Sequence, residues 1–245
     1  MLRIGFRTFS QKTEWSVLFT EVAIIGLLSY IFLTLLAALF YPGGIAYLGT
    51  FTSELGSWLP NGRHNYISLG LFILSGIIVF LTTTPFYLKP FLELFKRDRA
   101  NQRLARVSAI SGVASSFFFF LATLFPIDIL YTIHIILAGG FSLSISISVF
   151  LFSIIILRKQ FLPNTLALVG LVLVIGTILY VFPILPGIEK LIQKSVIYAM
   201  VLWGITTMLL VRRMHLRRLE ETSSSDELST TFLSLRDFGK AIIKR

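Results

Sequence analysis

The sequence predicts an all-α fold: a polytopic membrane protein built as a six-transmembrane-helix bundle with both termini cytoplasmic. Three observations carry that prediction. Of the 245 residues, 55% are apolar and only 14% charged, with a mean hydropathy of +0.83. A soluble domain carries about 25% charged residues, so this chain lacks the polar surface to keep its apolar mass in water. The apolar residues gather into six stretches, each bounded by polar or basic segments. Finally, Lys and Arg fall almost wholly on one side of those stretches. A soluble enzyme, a disordered chain and a disulfide scaffold are all excluded. Cys is absent, which removes thiol redox chemistry, Cys-ligated zinc and disulfides.

Residues 1–16 form the N-terminal cytoplasmic segment. There Leu2, Ile4, Phe6 and Phe9 mix with Arg3, Arg7 and Lys12, a pattern that suits the membrane surface. Residues 17–211 form the transmembrane domain, whose spans read Val22–Phe40, Ile67–Leu88, Val107–Phe125, Ile129–Leu157, Leu166–Leu185 and Val196–Val211. Crossing roughly 30 Å of hydrocarbon takes about 20 apolar residues at 1.5 Å rise each. Ile129–Leu157 is overlong and has to tilt or project. Val196–Val211 is short, with Lys194, Arg212 and Arg213 placed to snorkel from its ends. The first span is too long for the apolar region of a signal peptide, and Tyr41-Pro42-Gly43-Gly44 offers no small-x-small cleavage site.

The segments before span one, between two and three, between four and five, and after six hold 19 of the 22 Lys and Arg residues. The opposite loops hold Arg63, Lys190 and Lys194. The positive-inside rule therefore puts both termini in the cytoplasm of a multi-pass cell-membrane protein. The net charge of +10 reports topology and contact with anionic lipid, and nucleic acid is not an expected partner. Trp15 marks the inner interface, while Tyr41, Tyr47, Trp58, Tyr66, Tyr131 and Tyr198 form a belt near the outer one. Residues 212–245 are a cytoplasmic tail: a basic run, a Ser/acidic patch, then Thr231–Arg245. In that last piece Leu235, Phe238, Ile242 and Ile243 share a helical face, which suits an anionic lipid surface or a docking partner.

Small residues supply the packing signals. Ser108, Gly112 and Ser116 are spaced by four on span three, which lets helix backbones approach closely in lipid. Ser142, Ser144, Ser146 and Ser148 follow Gly139-Gly140 on span four. They either line a polar path or bond back to carbonyls one turn earlier. No internal repeat marks an inverted-repeat transporter.

Ionisable groups at the membrane edge are the natural place for function. The outer loop 42–66, rich in aromatics and holding Glu54, Arg63 and His64, is too apolar to extend into water. It is expected to fold over the bundle mouth, with Thr52 or Ser53 capping a helical turn. The turn Phe125-Pro126-Ile127-Asp128 is followed by His134. Glu54, Asp128 and His134 converge only through the folded loop. Three readings stand for that set: a metal or acid/base site, a recognition site for a polar lipid headgroup, or a structural hydrogen-bond knot. No HExxH, Walker loop, GxSxG or GxGxxG in context is present, and no histidine pair suits haem. No metal or cofactor is expected.

Ser53-Glu54-Leu55-Gly56, Pro60-Asn61 and Asn65-Tyr66-Ile67-Ser68-Leu69-Gly70, together with Phe125, Pro126, Asp128 and His134, resemble the damage-regulated autophagy modulator (DRAM-type) family. They equally resemble related six-span prokaryotic families of unknown function. The likeness spans roughly the first five helices and stops short of the tail. It implies lipid handling, with Ser53, Glu54, Asn65, Asp128 and His134 as substrate-binding residues and membrane lipids as partners. On that basis the chain is expected to bind, remodel or translocate lipid through a polar outer-leaflet site. The alternatives are a non-catalytic structural subunit of a larger membrane complex and a small-solute or ion transporter.

Overall fold

The computed structural model describes residues 2–44, 49–96, 98–182, 184 and 187–243, with side chains for those from 14 to 220 except 218. It is 85% helix, with no strand among the described residues. Six long helices follow in chain order: α1 Leu2–Leu39, α2 Tyr66–Phe86, α3 Arg99–Leu124, α4 Tyr131–Lys159, α5 Asn164–Val181 and α6 Glu189–Ile243. Each is long and apolar enough to cross a membrane, over Glu14–Leu39, Tyr66–Leu94, Arg99–Leu124, Tyr131–Lys159, Asn164–Val181 and Glu189–Arg217. The stretch that is short by sequence, Val196–Val211, lies within a helical segment of 29 residues. Lys194 is therefore inside the last helix rather than at its end.

Large apolar side chains stand on the outside. Ile25, Phe32, Ile136 and Val172 are each more than 60% exposed. A continuous belt of that kind is ruinous in water and ordinary against lipid tails.

Cross-bundle contacts define two ends. At the basic end, Arg212 Nε pairs with Glu21 Oε1 at 2.7 Å, joining α6 to α1, and Lys159 pairs with Asp98 at 3.1 Å, joining α4 to the start of α3. At the opposite, loop end, the first loop is bonded to the α3–α4 turn and to the start of α6. The two termini thus leave the bundle at the same end. The basic end holds the main apolar core, where Phe86, Phe91, Phe95, Phe152, Ile155 and Val211 are buried. Phe91 and Phe152 have ring centroids 5.0 Å apart.

Prolines shape α2. Pro85 and Pro90 carry no N–H for the helical ladder, and beyond Phe86 the backbone widens into a π turn, Tyr87–Phe91, before a last turn Leu92–Leu94. Asp98 caps α3 by accepting from the Asn101 backbone N–H. Its carboxyl sits below the ordinary carboxylate range because of the Asn101 side-chain hydrogen bond and, further down, Lys159. Gly112 meets α2 where no side chain fits, since a Cβ there would lie 2.4 Å from the Tyr87 ring.

Two of the serines of α4, Ser142 and Ser148, take part in bonds across helices, while Ser146 Oγ is buried with no hydrogen-bond partner among the described residues. Ser142 Oγ is 2.9 Å from the Tyr180 hydroxyl on α5, and Ser108 Oγ on α3 donates to the Ser148 carbonyl at 2.9 Å. The helix backbone runs unbroken from Leu2 into span one and from span six to Ile243. Tyr47 and the side chains of residues 1–13 and 221–245, on which the surface-lying expectations rest, lie outside the described set.

Candidate functional site

The loop end is built from the first loop upward. After α1 the chain turns at Tyr41, whose side chain is buried beside Ala37, Leu55 and Phe72. A 3-10 turn, Thr52–Gly56, inserts Leu55 completely into that apolar cluster. Gly56 is needed there, because a Cβ would lie 2.8 Å from the Phe72 ring. The turn starts after Phe51, which makes no side-chain cap, so Thr52 and Ser53 lie inside the turn rather than capping it. The Thr52 backbone N–H donates to Gln193 Oε1 at 3.0 Å. The chain then reverses at Asn61 and Gly62, both with positive φ.

Most of the polar groups singled out by sequence hold this loop. Asn65 is buried, and its Nδ2 donates to the carbonyls of Leu55 (3.0 Å) and Ser57 (2.9 Å). Ser68 Oγ adds a bond to the Leu55 carbonyl at 3.1 Å. Asp128 receives two backbone N–H groups, from Trp58 at 2.8 Å and Leu59 at 2.7 Å. Glu54 Oε2 accepts from Ser57 Oγ at 3.2 Å, and Ser53 is half-buried beside it. His134 is 2% exposed and its Nδ1 lies 2.8 Å from the Phe125 carbonyl. A carbonyl only accepts, so Nδ1 is the protonated nitrogen in that contact. This ties the first turn of α4 to the end of α3.

Ser53, Glu54, Asn65 and Asp128 are therefore brought to one loop, while His134 serves the adjoining turn. Among the described residues no group of three or more His, Asp or Glu is arranged to hold a metal ion.

Tyr41 and Lys194 join the set without having been marked by sequence. The Tyr41 phenol is pushed up from its ordinary value by burial first, then by the charges of Glu54 and Asp128. Its hydroxyl thus lies in the field of both carboxylates. Lys194 is buried in the first turns of α6, next in sequence to the Gln193 that bonds the loop. Lys190 stands 5.7 Å over the Phe51 ring. The signal for Lys194 was its place two residues before an apolar run. It reads as a span boundary until the folded loop is seen to cover it.

Beneath this cluster, Phe119 packs edge-on to Phe72 and to Tyr30. Below that aromatic layer lies a cavity of ≈ 100 Å³ between α1, α2, α3, α4 and α6. Its walls include Leu27, Val79, Phe141, Ile145, Val201 and Met208, with hydroxyls from Thr83, Ser115 and Ser116. Thr83 and Ser116 bond to each other at 2.7 Å, and Ser115 donates to the Gly112 carbonyl at 2.8 Å. A second space of ≈ 30 Å³ shares Tyr87, Val149, Trp203, Gly204 and Met208 with the first. Thr207 lines it, and its buried Oγ1 has no hydrogen-bond partner among the described residues. A buried hydroxyl left without a partner is costly, and this one marks the smaller space as able to take a polar atom.

No protein-family model, curated protein or solved structure matches the chain. Its fold and sites therefore stand on their own chemistry.

Proposed function

We propose that the protein handles lipid in the cell membrane, binding, remodelling or translocating it with the basic end in the cytoplasm. The observation that carries this reading is the cavity at the centre of the bundle. Apolar walls and a few hydroxyls, with an unpartnered threonine in the smaller space beside it, suit a largely apolar ligand with a small polar feature. Its volume is of the order of the roughly 150 Å³ that holds a small aromatic molecule in an engineered protein cavity. A chain terminus or ring of a lipid fits that space, and a whole headgroup does not. The headgroup belongs at the loop end, where Tyr41, Glu54 and Lys194 supply a donor, an acceptor and a cation.

Native mass spectrometry after mild detergent extraction tests this. The wild type is expected to carry lipid, and Gly204→Phe, which fills the cavity from α6, is expected to lose it while staying folded. A wild type free of lipid, or equal retention in both proteins, would overturn the reading.

A structural subunit is the second reading. One observation favours it: Asp128 and Asn65 are committed to the loop's own backbone. In that case the same experiment would show a protein partner at fixed stoichiometry and no lipid.

A further inference from the structure

A groove of ≈ 290 Å³ opens at the basic end, between the widened end of α2 and the first turns of α3. Lys89 and Lys96 line it from one side, Gln102 and Arg106 from the other, and Leu88 and Leu92 give it an apolar flank. Three cations thus face one carboxylate, that of Glu93. Glu93 is already engaged, since the Ser16 hydroxyl on α1 donates to it. The two ion pairs among the described residues are Lys159–Asp98 and Arg212–Glu21, so none of the three groove cations is in direct contact with a described carboxylate. Lys89 is placed without one: its ammonium lies over the rings of Trp15 (5.8 Å) and Phe19 (5.6 Å).

The local sequence explains the arrangement. Pro85 and Pro90 each remove an N–H from the helical ladder, and the π turn Tyr87–Phe91, which contains Pro90, re-aims the residues that follow. Lys89 lies within that turn and Lys96 just beyond it, so both meet Arg106 across the groove. Such a π turn in a long helix often marks a working site.

The geometry points to a binding site for the phosphate-bearing headgroup of an anionic phospholipid in the cytoplasmic leaflet. Cations and an amide are the donors that a phosphate oxygen accepts from. The apolar flank at Leu88 and Leu92 continues into the lipid-facing surface, where acyl chains already lie, which favours a lipid over free phosphate. Anionic lipid attracts basic groups generally. What distinguishes this site is a single groove lined by three basic side chains. It shares no residue with the central cavity and does not depend on that reading.

The test is native mass spectrometry of the whole protein in neutral detergent, titrated with dioleoyl phosphatidic acid or dioleoyl phosphatidylcholine. Wild type is expected to saturate one phosphatidic acid site. The combined variant Lys89→Gln, Lys96→Gln, Arg106→Gln should weaken it at least tenfold and leave phosphatidylcholine binding unchanged. Lys96→Gln alone, at an exposed side chain, should give part of that loss and guards against misfolding of the triple variant. Equal binding by wild type and both variants would overturn the proposal. So would an equal loss from Arg212→Gln with Arg213→Gln, which would make the attraction diffuse. Displacement of the lipid by millimolar inorganic phosphate would also overturn it, assigning the site to free phosphate. Loss of phosphatidic acid binding in the groove variants, with lipid still retained in the central cavity, separates this proposal from the function proposed above.

Discussion

Asp128 holds Trp58 by its backbone: Oδ1 accepts the Trp58 N–H at 2.8 Å while Oδ2 accepts that of Leu59 at 2.7 Å. One carboxylate at the α3–α4 turn thereby fixes a loop 70 residues earlier in the chain. Both oxygens act as acceptors, so an amide is a poor replacement. Asp128→Asn presents one acceptor and one NH₂ to two donors. The bonds are exposed to solvent, so the expected cost is about 0.5–1.5 kcal/mol, read as a lowered thermal midpoint in detergent. His134→Gln should cost less, because a Gln amide still has a donor to offer the Phe125 carbonyl. Asp128→Asn melting like wild type would show that the loop is held elsewhere.

Gly112 and Gly139 make a controlled pair. A Cβ at Gly112 would lie 2.4 Å from the Tyr87 ring, whereas nothing lies within 4 Å of one at Gly139. Gly112→Ala should therefore destabilise by about 1–3 kcal/mol through overpacking. Gly139→Ala should be neutral or slightly stabilising, since Ala is the better helix former. Parallel thermal melts of the two variants check this.

Asp98 gives the bundle an acid sensitivity. Its carboxyl is held low by Asn101 and Lys159, so the folded form binds its proton less readily than the unfolded chain. The stability it adds is present above the ordinary value of 3.8 and is lost as pH falls through the lowered folded value. Asp98→Asn keeps a capping oxygen and removes the titration. Its melting temperature should fall less steeply than that of wild type below about pH 4.

The chain has no cysteine, which makes topology directly measurable. Arg63→Cys, on the exposed tip of the loop, should react in intact cells with a membrane-impermeant maleimide. Arg99→Cys, at the basic end, should react only after permeabilisation. The reverse pattern would invert the proposed orientation.

The six helices were legible because burial in lipid is a property of composition over about 20 residues, which a linear reading captures. The small-residue spacing at Ser108, Gly112 and Ser116 likewise pointed to close packing, and the Tyr87 ring occupies that space. The site was harder to read. The partners of Asp128 are backbone N–H groups, which carry no residue signature, and they lie in a loop remote in sequence. Lys194 looked like the flank of a short span because hydropathy cannot tell a cation at the membrane edge from one under a folded loop. The serines of α4 were ambiguous for a related reason. A hydroxyl has a local acceptor in every helix, and only the neighbouring Ser108 and Tyr180 decide between local and cross-helix bonds.

The stapled loop imposes an order on assembly. Its 3-10 turn is synthesised early, yet the Asp128 that grips it comes some 70 residues later and Gln193, bonded to Thr52, 141 residues later. At about 5–20 residues per second of translation, the bond to Gln193 waits for roughly seven to thirty seconds. Until Asp128 emerges, the loop has only its own neighbours to hold it: the Ala37, Tyr41 and Phe72 cluster around Leu55 and the bonds from Asn65 and Ser68. The last helix to emerge is the one that locks the first connection.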